Sequence, residues 1–300
     1  MPALKVLITG GSGLLGQYLN KELSRNFEIL TLYNRNEGNC KGFNSARVNI
    51  LDTNGLRAAF KAFCPDVVVH TAAVANSAKA EKMAWSDVLA INVEGTRNIA
   101  RLSEECNSRL IYTSTDLVYD GSLGMMLKED AELNPRSLYA ETKLLSEEAI
   151  KNITGSYLIL RTSLLYGMGL NHSDCHFQRM YESLKKGEEV RVFYDQFRSP
   201  LSLFNAAEII SCLVEKGFTG EIINLGGSER ISRYGLGSIL CEEAGLDKSF
   251  LKAISMDEVE ASAVKDVSMD TGKLRQLPGI EQKSIRQSVR EIVDREKEKS

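Results

Sequence analysis

Three hundred residues, 43% hydrophobic and 26% charged, supply a sizeable core for one large α/β unit or for a core with an added lobe. A formal net charge of −3 gives no electrostatic case for nucleic acid or an anionic membrane as partner. Six cysteines without a CxxC pair read as thiols in a reducing compartment, and the apolar run at the N-terminus is too short for a signal peptide or a span, so a cytoplasmic protein is expected.

In chain order, "LKVLITG" (4–10) reads as a strand stopped by glycine, and "LLGQYLNKELSRN" as a helix. "FEILTLY" is a second strand, "LRAAFKAF" a helix, and "PDVVVHTAA" a strand opened by proline. "WSDVLAINVEGTRNIARLSEEC" carries apolar residues three and four apart, as a helix does. Strand "RLIYTST", helix "SLYAETKLLSEEAIKN" and strand "SYLILRTSLLYG" follow. Continuous apolar strands alternating with amphipathic helices predict an α/β fold, a doubly wound parallel sheet with its ligand site at the carboxyl ends of the strands. Beyond residue 166 the alternation weakens. Residues 1–165, rejoined by 200–226, are expected to bind a dinucleotide, and residues 166–199 and 227–300 to form a smaller substrate lobe. The tail from Ser284 reads as a charged helix with a solvated, frayed end.

"TGGSGLLG" sets Gly10, Gly13 and Gly16 between the first strand and the first helix, with Leu14 and Leu15 opening that helix. Glycines there let the backbone turn tightly and bring its N–H groups to a pyrophosphate. At the end of the second strand, "LYNRN" offers Asn34 and Arg35 and no carboxylate. A 2′-phosphate calls for a cation and donors, so NADP(H) is favoured over NAD(H), which stays open. Ala72 and Ala73 are small and leave room for a ribose and diphosphate. Tyr139 and Lys143, four apart, share a helix face. Thr115, ending the preceding strand, reaches the same sheet edge. The three predict a proton-transfer device in which Lys143 and the positive nicotinamide ring lower the Tyr139 pKa from its ordinary value of ~10.

These stretches, together with "INVEGTRNIA", "TSTDLVYDG", "YAETK", "LRTSLLYG" and "DQFRSP", make the chain resemble the extended short-chain dehydrogenase/reductases. Within that group it is similar to the dTDP-4-dehydrorhamnose reductase family. The resemblance implies an NADP(H)-dependent reductase of a keto group on a nucleotide-linked or other polar sugar, with no nucleic acid or membrane partner and with room for a homodimer. It implies that Asn49 and Ile50 line the adenine, that Thr115 is the catalytic hydroxyl, and that Thr162 and Ser163 approach the nicotinamide. It places Asp116, Leu117, Leu164 and Arg198 at the substrate, and Asp195, Gln196 and Arg198 in the segment that closes that site. Leu117 and Leu164 stand where this family usually has aromatics, which predicts a pocket without ring stacking and dTDP-4-dehydrorhamnose as a poor substrate. Arg179, Lys185, Lys186, Arg191 and Arg198 are the cations available for an anionic substrate group. The cluster "NHSDCH" (171–176) holds potential zinc ligands but lacks HExxH or a cysteine pair, so it reads as a polar loop and no metal is expected. Two other readings stand beside the reductase: a nucleotide-sugar epimerase or dehydratase, and a non-catalytic NADP-binding subunit, since the regulatory β-subunit of methionine adenosyltransferase resembles the same family.

Overall fold

The computed structural model describes residues 3–75, 77–259 and 264–299. Seven strands form its main sheet: β1 (Lys5–Thr9), β2 (Glu28–Tyr33), β3 (Ser45–Arg47), β4 (Val67–His70), β5 (Arg109–Thr115), β6 (Tyr157–Thr162) and β7 (Glu221–Leu225). Their order is β7-β6-β5-β4-β1-β2-β3, and every neighbouring pair is parallel. The strand order reverses between β1 and β4, which opens a crevice beyond their carboxyl ends. The expected doubly wound sheet is therefore present.

Side chains alternate across each strand, and the alternation builds two apolar layers. Val6, Ile8, Val67, Val69, Ile111, Leu158 and Leu160 face α1 (Leu14–Leu23) and α6 (Leu203–Lys216). Leu7, Val68, Leu110, Tyr112 and Ile159 face α2 (Thr53–Phe63), α3 (Gly95–Glu105) and α4 (Leu138–Ile153). The helices begin at side-chain caps that the sequence supplies: Asp52 accepts from the Gly55 N–H, Ser137 from Ala140 and Ser202 from Asn205. Helix α6 stops at Gly217, whose φ of +71° takes the left-handed cap conformation.

A third apolar cluster joins α5 (His176–Lys185), α7 (Arg233–Ala244) and α8 (Ile285–Lys297). The short strands Val190–Phe193 and Leu251–Ile254 pair in parallel beside it. Two sequence expectations are corrected here. The strand read as running through "SYLILRTSLLYG" ends at Thr162, where Ser163 leaves to bond the Leu225 carbonyl, and Leu165–Tyr166 pairs elsewhere. The helix read through 85–106 contains a π-helical stretch at Ala90–Glu94. The tail from Ser284 is a helix as read, and its inner face is docked, with Ile285, Val289, Ile292 and Val293 buried in the third cluster. Among the described residues no helix is long and apolar enough to cross a membrane.

Candidate active site

The carboxyl ends of β1, β4, β5 and β6 bring the sequence-marked residues to one edge. Gly10 adopts φ +69° and packs so closely on Ala72 that a Cβ there would lie 2.7 Å from the Ala72 nitrogen. Gly16 packs against the Gly10 carbonyl, where a Cβ would overlap it. Gly13 differs. It is exposed, and a Cβ on it would meet only the Gly10 oxygen, at 3.1 Å. Gly13 is also the N-cap of α1, and no side chain caps that helix. The start of α1, carrying Leu14 and Leu15, thus presents backbone N–H groups and a positive helix end to open space, which fits the diphosphate of a dinucleotide.

Asn34 and Arg35 are exposed beyond β2. Arg47, which the sequence reading passed over, comes beside them: its Nε donates to the Asn34 carbonyl at 2.9 Å. The loop also holds a carboxylate two residues after Arg35, Glu37, which accepts from the Tyr33 hydroxyl at 3.3 Å. Asn49 is exposed and its side chain accepts from Leu51 N–H, while Ile50 is buried under Gly95 and its carbonyl accepts from Asn98. Ala73 lies half-buried next to Ala72.

The Thr115 side chain comes up to the Tyr139 phenol, and its hydroxyl donates to Asp116 Oδ1 at 3.2 Å. Lys143, one turn after Tyr139 on α4, is buried and holds its ammonium 4.1 Å from the centre of the Tyr112 ring. Burial pushes the Tyr139 phenol up to about 12, opposed by the Thr115 side chain. Burial also pulls Lys143 down to about 7, opposed by Glu147. The protein's own groups thus leave the phenol raised, and the lowering expected from Lys143 together with the positive nicotinamide ring belongs to the cofactor-bound site.

Asp116 is buried, its carboxyl raised by that burial and eased back by Arg198, Ser163 and Thr115. Its Oδ2 accepts from the Ser163 hydroxyl at 3.2 Å and lies 3.7 Å from Arg198 Nε. Ser163 thereby sits against a residue expected at the substrate, whereas the Thr162 hydroxyl donates to the Leu160 carbonyl. Arg233 was missed. Burial and the neighbouring Arg198 bring it down to about 10, and its Nε donates to Gln196 Oε1 at 3.0 Å. No motif marks "ISRYG" in the sequence, although Ser232 caps α7 and so fixes where Arg233 begins that helix. His176, the first residue of α5, is lowered to about 4 by burial and by Arg233 and Arg179.

Other expected residues lie apart. Asp195 accepts from the Ser255 hydroxyl and the Met256 N–H, holding a turn rather than meeting Asp116. Arg179 pairs with Asp174 at 2.6 Å, Lys185 lies over the Tyr181 ring, and Lys186 and Arg191 are exposed. Of the five cations named from sequence, only Arg198 reaches Asp116. Leu117 packs with Val118, Tyr119, Leu127 and Met269, while Leu164 packs on the third cluster, so the two leucines belong to different apolar groups. His172 precedes α5 instead of sharing a helix face with His176, and Cys175 donates its thiol to the Gly167 carbonyl.

A sequence profile of the RmlD substrate binding domain family matches residues 4–298. The chain belongs to that family. It is 28% identical to the spore coat polysaccharide biosynthesis protein SpsK of Bacillus subtilis, over 96% of each chain. It is 29% identical to methionine adenosyltransferase 2 subunit beta of Bos taurus, over 95% of this chain and 85% of that one. Its fold matches the dTDP-4-dehydrorhamnose reductase of Bacillus anthracis, solved in complex with NADP, with a TM-score of 0.84 at 24% identity, covering 98% of this chain and 100% of that one. The doubly wound fold read from the sequence is thus shared with a solved structure over nearly the whole chain.

Proposed function

We propose that the chain is an NADP(H)-dependent reductase of a keto group on a nucleotide-activated or other polar sugar. The observation that carries this reading is the meeting of Thr115, Tyr139 and the buried Lys143 at the sheet edge that also holds the open helix start at Gly13. The bound cofactor supplies hydride. Gly10, Gly13, Leu14, Leu15 and Gly16 would hold its diphosphate, Arg35 and Arg47 a 2′-phosphate, Asn49 and Ile50 the adenine side, and Thr162 the nicotinamide side. Thr115 would orient the carbonyl oxygen and Tyr139 would give that oxygen its proton. A phenol at about 12 keeps its proton at neutral pH and so suits the acid of a reduction better than the base of an oxidation. Lys143 would bond the nicotinamide ribose and, when charged, stabilise the phenolate that remains.

Residues 166–199 and 227–300 are taken as the substrate lobe, entering the site through Gln196, Arg198 and Arg233. Arg198 and Arg233 against Asp116, with the nearby Asp266 paired to Arg230, leave a net positive charge, which suits the phosphates of a sugar nucleotide. An intact Thr115, Tyr139 and Lys143 supports turnover over a purely regulatory role. Leu117 and Leu164 offer apolar contact without stacking, so dTDP-4-dehydrorhamnose should be a poorer substrate than a related keto-sugar. Following NADPH oxidation across a panel of nucleotide-linked keto-sugars, dTDP-4-dehydrorhamnose included, tests the proposal. Turnover of at least one is expected; binding of NADPH without oxidation by any would favour the non-catalytic reading.

A further inference from the structure

Glu147 follows Lys143 by one turn of α4, and both it and Arg161 of β6 are fully buried, at 0% and 1% exposure. Charges withdrawn from water persist only where their bonding is complete. Here it is. Arg161 donates to Glu147 from Nε at 3.2 Å and from Nη2 at 2.9 Å, and its Nη1 reaches the Tyr119 hydroxyl and the Glu129 carbonyl. The Ser114 hydroxyl donates to the same carboxylate.

The positions of these partners matter more than their number. Ser114 directly precedes Thr115 at the end of β5, and Arg161 directly precedes Thr162 and Ser163 at the end of β6. One carboxylate therefore ties both hydroxyl-bearing strand ends to the helix that carries Tyr139 and Lys143. We infer that Glu147, backed by Arg161, is a positioning residue of the site, fixing Thr115 and Thr162–Ser163 relative to Tyr139 and holding the positive charge on Lys143.

The surroundings of Lys143 leave this second task to Glu147. From β4, His70 is held neutral, its ring bonded to the Thr9 and Thr96 hydroxyls. From β5, Tyr112 offers a ring face. The preceding helix turns Asn92 and Thr96 inward, neither of them ionisable. Asp116 acts on Tyr139, and Glu147 is the acidic group acting on Lys143.

The inference rests on the proposed contact of Lys143 with the cofactor ribose, so NADPH affinity reads it without need of a substrate. Fluorescence titration of NADPH from mildly acidic to alkaline pH should show affinity falling in the wild-type protein as Lys143, held at about 7, loses its proton. Glu147→Gln/Arg161→Gln removes both charges and strands neither. It should move that fall to lower pH, with about a tenfold loss of affinity at a fixed pH above the transition for each unit of displacement. Should that variant not fold, Glu147→Asp carries the test: it keeps the ion pair but draws the carboxylate back, and should move the profile the same way by less. A folded variant with the wild-type profile overturns this inference alone. A wild-type affinity indifferent to pH overturns the ribose contact of Lys143 and the inference with it.

Discussion

The Tyr139 phenol held at about 12 and the Lys143 ammonium at about 7 are both displaced first by burial. A residue pattern places such groups on one helix face, but it does not report the loss of water around them. That is why the sequence named the pair but could not show that burial acts on both groups. Cofactor choice is also decided by single residues. Arg35 and Arg47 beside Asn34 should make NADPH bind more tightly than NADH, and Arg35→Ala should narrow the gap by about one to two powers of ten. Side-by-side titrations check this, and equal affinities in the unmutated protein would mean that Glu37 governs the loop instead. His70 predicts an acid sensitivity. Its folded pKa of about 3 lies below the ordinary value of 6.5, so the unfolded chain binds the proton first as pH falls. Its contribution to stability is complete above 6.5 and is lost as pH falls toward 3, at a limit of about 1.4 kcal/mol per pH unit. Urea midpoints measured across that range should show a shallower decline for His70→Gln than for the wild type.

At the scale of elements, the glycine loop divides its labour in a way that can be tested. Gly16→Ala should disrupt the turn itself, since its Cβ would overlap the Gly10 carbonyl. Gly13→Ala should cost much less thermal stability than Gly16→Ala, because its Cβ meets only the Gly10 oxygen at 3.1 Å, and should weaken NADPH. A Gly13→Ala protein with full affinity would place the diphosphate elsewhere. The Glu147–Arg161 pair predicts the opposite balance. Arg161→Met strands a buried carboxylate and should cost about 3–5 kcal/mol in chemical denaturation, whereas replacing both partners by apolar residues should cost far less. Elements were legible where their pattern was long. β1, β4 and β5 are continuous apolar runs and were read directly. β3 spans only Ser45–Arg47 at the sheet edge, too short for any period to register. The π-helical stretch at Ala90–Glu94 preserves the apolar spacing around it and leaves no compositional trace.

Across the whole molecule, the sheet order and the convergence of Thr115, Tyr139 and the glycine loop follow from alternating strands and helices, because a doubly wound sheet must bring its carboxyl ends together. What the sequence left hidden are the long-range pairings. Arg233 reaches Gln196 from 37 positions away, and Arg47 reaches Asn34 across the β2–β3 connection; neither belongs to a local motif. The docked helix α8 was hidden for another reason, since its exposed face carries enough charge to mask the four buried aliphatic residues on the other. The central claim, that this constellation reduces a carbonyl with Tyr139 as the acid, meets its most direct test in steady-state NADPH oxidation by the wild type and by Tyr139→Phe. The assay should use the best nucleotide-linked keto-sugar found, with NADPH affinity measured in parallel. Loss of about 10²–10⁴-fold in kcat at nearly unchanged NADPH affinity is the predicted result; a Tyr139→Phe protein that keeps most of its turnover would contradict the assignment.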